Sequence, residues 1–130
     1  MQHKNLLIKN SIEKADEALT DAKNNMNLSL RLVQNRNYYA VFYIVLALAY
    51  LDGFTTGKHH QLMGWFNKEY IYKTKLFDTK LNTIYRTLLA NREKFDYDVS
   101  SVPEKDKVEK DFENAKFFVE TVKQYLLKKI

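Results

Sequence analysis

The chain has 130 residues, is 45% hydrophobic, carries 21 Lys+Arg against 16 Asp+Glu, and contains no cysteine. That apolar fraction excludes a disordered polyelectrolyte, and the lack of cysteine excludes disulfides and thiolate metal sites. The length predicts one domain over residues 1–130, and with only three glycines and one proline the expectation is an all-α protein.

The first helix is predicted from about His3 to Lys23. Ile8, Ile12, Ala15, Leu19, Ala22 and Met26 recur at alternating steps of four and three, while Glu13, Lys14, Asp16, Glu17 and Asp21 fall mostly elsewhere. That pattern is one apolar stripe on a solvated helix. Charges break up the apolar residues here, so no uninterrupted run suits a secretory signal, and a cytoplasmic setting is expected. Asn24 to Asn27 reads as a turn, because asparagine tolerates turn geometry and competes for helical hydrogen bonds.

A second helix is predicted from near Leu28 to Asp52, with Gly53 as its C-terminal cap. It contains the apolar centre of the chain, Asn35 to Leu51, NRNYYAVFYIVLALAYL, whose last 14 residues carry no charge. Such a helix is expected to be wrapped on all sides by the others. It is too short to cross a membrane, which takes about 20 apolar residues, so no membrane association is expected.

Phe54 to Gly57 forms a short loop, with Thr56 a candidate cap for a third helix from about Lys58 to Tyr70. Leu62, Phe66 and Tyr70 mark its stripe, flanked by Met63 and Trp65. A linker through Tyr72, Lys73, Thr74 and Lys75 leads to a fourth helix, about Phe77 to Phe95, with Phe77, Leu81, Ile84, Leu88 and Phe95 inward. Ser101-Val102-Pro103-Glu104 matches a capping box that would open the fifth helix. Val108, Phe112, Ala115, Val119, Val122 and Leu126 then carry the four-three spacing towards the C-terminus. Five such segments on short connections predict an antiparallel helical bundle.

Charge is unevenly spread. Lys58 to Lys94 holds eight positive and three negative residues, so this segment accounts for the whole net charge of +5. It would attract phosphate or an acidic partner protein, or serve simply as a solubilising surface.

Arg36, Tyr39 and Tyr43 fall at i, i+3 and i+7 and predict a polar-tipped line on the apolar helix, with Arg36 placed to anchor a carboxylate or phosphate. The same spacing also suits core aromatics whose hydroxyls reach the surface. Arg92 and Asp96, four apart, predict an ion pair that fixes the guanidinium and leaves donors for an anion; Tyr97 follows directly. His60, at a helix start, reads as a structural group or a hydrogen-bond donor. No metal site is expected from His3, His59 and His60, which lack ligand partners at helical spacing, and no cofactor motif is present.

Asn35-Arg36-Asn37-Tyr38-Tyr39-Ala40-Val41-Phe42-Tyr43, then Lys58-His59-His60 with Phe66, then Arg92 with Asp96-Tyr97-Asp98 together resemble the HEPN domain family. The likeness is to its small stand-alone prokaryotic members, with the pattern NRxYYAxFY, KxH and RxxxDYD. The resemblance implies an up-and-down bundle of four long helices plus a short one, usually a homodimer. It also implies a partner, a minimal nucleotidyltransferase, in a toxin-antitoxin-like pair.

Many members of that family are metal-independent RNases using R-x(4 to 6)-H, with the two residues meeting across the dimer. Counted from Arg92, the histidine positions here hold Tyr97, Asp98 and Val99, and the tyrosine that partners modify in some toxins likewise falls on Val99. The expectation is therefore a binding protein for nucleotide or RNA phosphate, with Arg36, Tyr39, Tyr43, His60, Arg92, Asp96 and Tyr97 lining its cleft. Two alternatives stay open. One is an RNase that uses Arg92 with Tyr97 or His60 as the proton donor. The other is a non-catalytic adaptor docking an acidic protein on the basic segment.

Overall fold

The computed structural model describes residues 2–130, leaving Met1 of the expected 1–130 domain outside the description. Its helices are α1 (Gln2–Asn24), α2 (Leu30–Asp52), α3 (His59–Phe66), α4 (Thr79–Tyr97) and α5 (Lys105–Leu127). A π-helical extension, Asn67–Lys73, continues α3. The fold is thus all-α, with four long helices and a short one.

Local chemistry sets the boundaries. The Ser29 hydroxyl accepts the Leu32 amide at 3.2 Å, so α2 starts at Leu30 rather than at the expected Leu28. At its other end Gly53, with φ 75°, donates to the carbonyls of Ala49 and Tyr50, a left-handed cap that suits glycine. Asp78 caps the Lys80 amide at 2.8 Å, so α4 begins at Thr79 and Phe77 stays just outside it. The third helix does not end at Tyr70: Thr74 N bonds Glu69 O at 3.3 Å, a five-residue step that carries π geometry through the expected linker to Lys73. Thr56 accepts from Lys58 N at 3.1 Å, one residue ahead of α3.

The expected capping box at Ser101 does not form. Asp98 takes the Ser100 and Ser101 hydroxyls at 2.6 and 2.7 Å, and α5 starts only at Lys105, after Glu104, with no side-chain cap. A carboxylate three residues upstream outcompetes the helix for the serine.

Facing pairs fix the topology. Asn35 meets Asp96 and Tyr39 meets Arg92, so α2 and α4 are antiparallel. Asp16 meets Lys123 and Asn27 meets Lys105, so α1 opposes α5. At the core, Phe66 packs 5.7 Å from Tyr85 and 5.4 Å from Phe118, with Tyr38, Ile44, Leu48 and Val122 fully buried around them. Phe118, absent from the stripe predicted for α5, is buried, whereas the predicted Phe112 is half-buried. Burying each large apolar side chain contributes about 1.5–3 kcal/mol.

The apolar centre is not wrapped on all sides. Tyr39, Phe42, Tyr43, Leu46 and Tyr50 recur on one strip of α2 and are only half-buried, because α1, α4 and α5 cover the other faces.

Candidate functional site

The first half of α2, the last turns of α4 and the start of α3 come together at one place. On α2, Arg36 donates from Nε and Nη2 to Asn35 Oδ1 at 3.1 and 2.7 Å. Asn35 Nδ2 in turn donates to Asp96 Oδ2 at 3.1 Å, and Arg92 Nε donates to that same oxygen at 3.0 Å. Arg92 Nη2 closes the ring of contacts on the Tyr39 hydroxyl at 3.3 Å. Both guanidiniums lie over the Tyr39 ring, with Cζ at 5.0 Å for Arg36 and 5.4 Å for Arg92. Arg92 also lies 5.7 Å from the Tyr38 ring and 6.0 Å from that of Tyr97.

The electrostatics favour an anion. Partial burial opposes the charge of Arg92, and Tyr39, Tyr97 and Asp96 more than offset it, so the group is held above its usual pKa. Arg92 pairs with Asp96 while Arg36 is held only by the amide oxygen of Asn35, and each has N–H groups without a protein partner among the described residues. Oriented, unspent donors on a stacked guanidinium are what a phosphate or carboxylate needs.

His59 joins this cluster. Its ring stacks on Phe42 at 4.6 Å, and its Nδ1 is 2.6 Å from the Tyr38 hydroxyl. Burial pushes the Tyr38 phenol well above its usual pKa, and burial followed by the charge of Arg92 pushes His59 down. Tyr38 therefore keeps its proton and His59 stays neutral, with one hydrogen bond shared between the hydroxyl and Nδ1.

Arg31 holds the segment that carries Asp96 and Tyr97. Its guanidinium donates to the carbonyls of Phe95 at 2.7 Å, Val99 at 3.1 Å and Ser101. Behind the site, buried Asp111 accepts from Gln34 at 2.9 Å and Asn91 at 2.8 Å, tying α5 to α2 and α4.

Of the residues singled out in the sequence, Arg36, Tyr39, Arg92 and Asp96 meet directly. Tyr97 lies beside them, 75% exposed. Tyr43 stands apart on the aromatic strip, with its ring 5.9 Å from Tyr39 and Lys14 over it at 5.6 Å. His60 points to Glu93 at 3.0 Å, outside the ring of contacts. Sequence reasoning missed Arg31 as a member of the site and carried Tyr38 and His59 only within the resemblance motif. Asn35 was legible only as part of a motif. Among the described residues no three His, Asp or Glu side chains gather as a metal site, and no helix is long and apolar enough to cross a membrane.

The HEPN domain family matches residues 8–125. A "UPF0332 protein" from Thermotoga maritima is 30% identical over 127 residues, covering 97% of this chain and 96% of the relative. A protein from Methanocaldococcus jannaschii with the name "Putative toxin MJ0142" is 30% identical over 119 residues, covering 91% of this chain and 80% of the relative.

Proposed function

The chain belongs to the HEPN domain family, and on that premise we propose that it binds the phosphate of a nucleotide or of RNA between Arg36 and Arg92. In this reading it acts as a cytoplasmic homodimer beside a minimal nucleotidyltransferase, in a toxin-antitoxin-like pair. The observation that carries it is the shared platform: both guanidiniums lie on one tyrosine ring, bridged through Asn35 and Asp96, with donors to spare. A relative named as a toxin supports the toxin-antitoxin setting.

The test is titration with ATP and with a short RNA. Arg36→Ala and Arg92→Ala each weaken binding by about tenfold or more, the usual worth of a charge-assisted hydrogen bond. Unchanged affinity in both variants removes the pocket from the account. Co-expression with a minimal nucleotidyltransferase encoded alongside tests the partner through co-purification.

A second reading, residual RNase activity, is favoured by His59. Held neutral near the charge of Arg92, its imidazole would accept the 2′-hydroxyl proton while water protonates the departing 5′ oxygen. It requires RNA cleavage by the pure protein that is lost in both His59→Ala and Arg92→Ala. Cleavage that survives Arg92→Ala rejects it.

A further inference from the structure

The basic segment divides in space. Arg92 and Lys94 lie near the C-terminal end of α4, while Lys68, Lys73, Lys75 and Lys80 sit at its other end, roughly 20 Å away at 1.5 Å per residue. There Tyr70 and Phe77 pack against Tyr125 near the end of α5, bringing Lys129 to the same end of the bundle. The carboxylates nearby are already engaged. Glu69 pairs with Lys73 at 3.5 Å and Asp78 caps α4 at 2.8 Å, whereas Lys75, Lys80 and Lys129 have no carboxylate partner among the described residues.

An open groove at this end is lined by Ile71, Tyr72, Lys75, Phe77, Asp78 and Thr79. Tyr72 is 60% exposed, yet its hydroxyl is held by Asn82 Nδ2 at 2.9 Å, so the ring is both presented and fixed. The π-helical extension puts that ring on the rim, and Lys75 follows in the left-handed region at φ 55°, costly for a residue other than glycine. From the groove, Lys80, Thr83, Arg86, Thr87 and Ala90 run along α4, all exposed, with no carboxylate between Asp78 and Glu93. A solvated helix normally mixes the two signs at i, i+4; the first three turns of α4 do not.

We propose that this surface docks a single strand of nucleic acid, with a base stacked on Tyr72 and phosphates on Lys75, Lys80 and Arg86. An acidic peptide would use the cations but has no need of a fixed, exposed aromatic ring among them, whereas a stacking ring on a basic track is how unpaired strands are held. The surface lies apart from Arg36 and Arg92 and does not depend on what they bind.

The experiment is fluorescence anisotropy with labelled ten-nucleotide oligouridylate and oligoadenylate. Tyr72→Ala and the double variant Lys80→Glu/Arg86→Glu each weaken binding by about tenfold, and the charge reversal also flattens the salt dependence. Tyr72→Phe stays within about twofold of the native chain, and in the Arg36→Ala/Arg92→Ala background Tyr72→Ala still costs a further factor of about ten. Thermal melts confirm folding, since the altered side chains are exposed. Native affinity in both Tyr72→Ala and the charge reversal overturns the proposal. So does competition by polyglutamate as strong as by unlabelled decamer with Tyr72→Ala silent, which would make the face a site for an acidic protein.

Discussion

Tyr39 serves two arginines at once, and the two roles of its side chain separate experimentally. The ring carries the cation–π contacts at 5.0 and 5.4 Å, while the hydroxyl makes one long hydrogen bond of 3.3 Å to Arg92. Tyr39→Phe should therefore leave anion affinity within about threefold, since the bond it removes is long and Arg92 stays held by Asp96 at 3.0 Å. Tyr39→Ala removes the platform and should cost about as much as losing an arginine; equal affinities for the two variants would deny the ring its role. His59 gives a prediction in pH. Its pKa lies below the ordinary 6.5 because of burial and Arg92, so below 6.5 the unfolded chain binds a proton that the folded chain refuses. Stability contributed by the neutral imidazole is thus present above 6.5 and lost as pH falls towards the folded value. In urea melts at pH 7.5 and 5.5 the native chain should lose more stability than His59→Gln. Parallel losses would show that His59 is not held neutral.

At the scale of the elements, two serines that look alike in sequence differ in the fold. Ser29 accepts the Leu32 amide and starts α2, whereas Ser101 has turned away to Asp98. Ser29→Ala should cost about 1 kcal/mol, the usual value of an N-cap, and Ser101→Ala only a few tenths, as measured by denaturant unfolding. A larger loss at Ser101 would restore the capping box that the sequence suggests. This contrast shows where sequence reading succeeded and failed. The stripes through Ile8, Leu62, Leu81 and Val119 gave the helices, because burial on one face of a helix forces a 3.6-residue period. The pairing of Arg92 with Asp96 was legible because both lie on one helix, four residues apart. Asn35–Asp96 and Tyr38–His59 were not, because each joins residues more than twenty positions apart and depends on how helices cross. His59 and His60 differ by one position at a helix start, where periodicity cannot say which faces inward. The π geometry at Asn67–Lys73 has no signature in composition.

For the whole molecule, the unclosed strip on α2 is the main unsatisfied feature. Tyr39, Phe42, Tyr43, Leu46 and Tyr50 present aromatic and aliphatic surface at i, i+3, i+4, i+7 and i+11, half-buried by α1 and the start of α3 and otherwise open. A contiguous apolar strip on the innermost helix of a bundle is the surface a second copy would cover, and Tyr39 belongs both to it and to the arginine pocket. Because Tyr39 is shared by the strip and the pocket, assembly and anion binding should fail together. Leu46→Glu puts a charge in the middle of the strip, away from Arg36 and Arg92. Sedimentation equilibrium should show a dimer of the native chain at micromolar concentration and association weakened by more than about a hundredfold in the variant, given the cost of an unpaired buried charge. The melting temperature of the native chain should rise with protein concentration, and that of Leu46→Glu should not. A native chain that sediments as a monomer at tens of micromolar would end this account, and the pocket would then have to work within one chain.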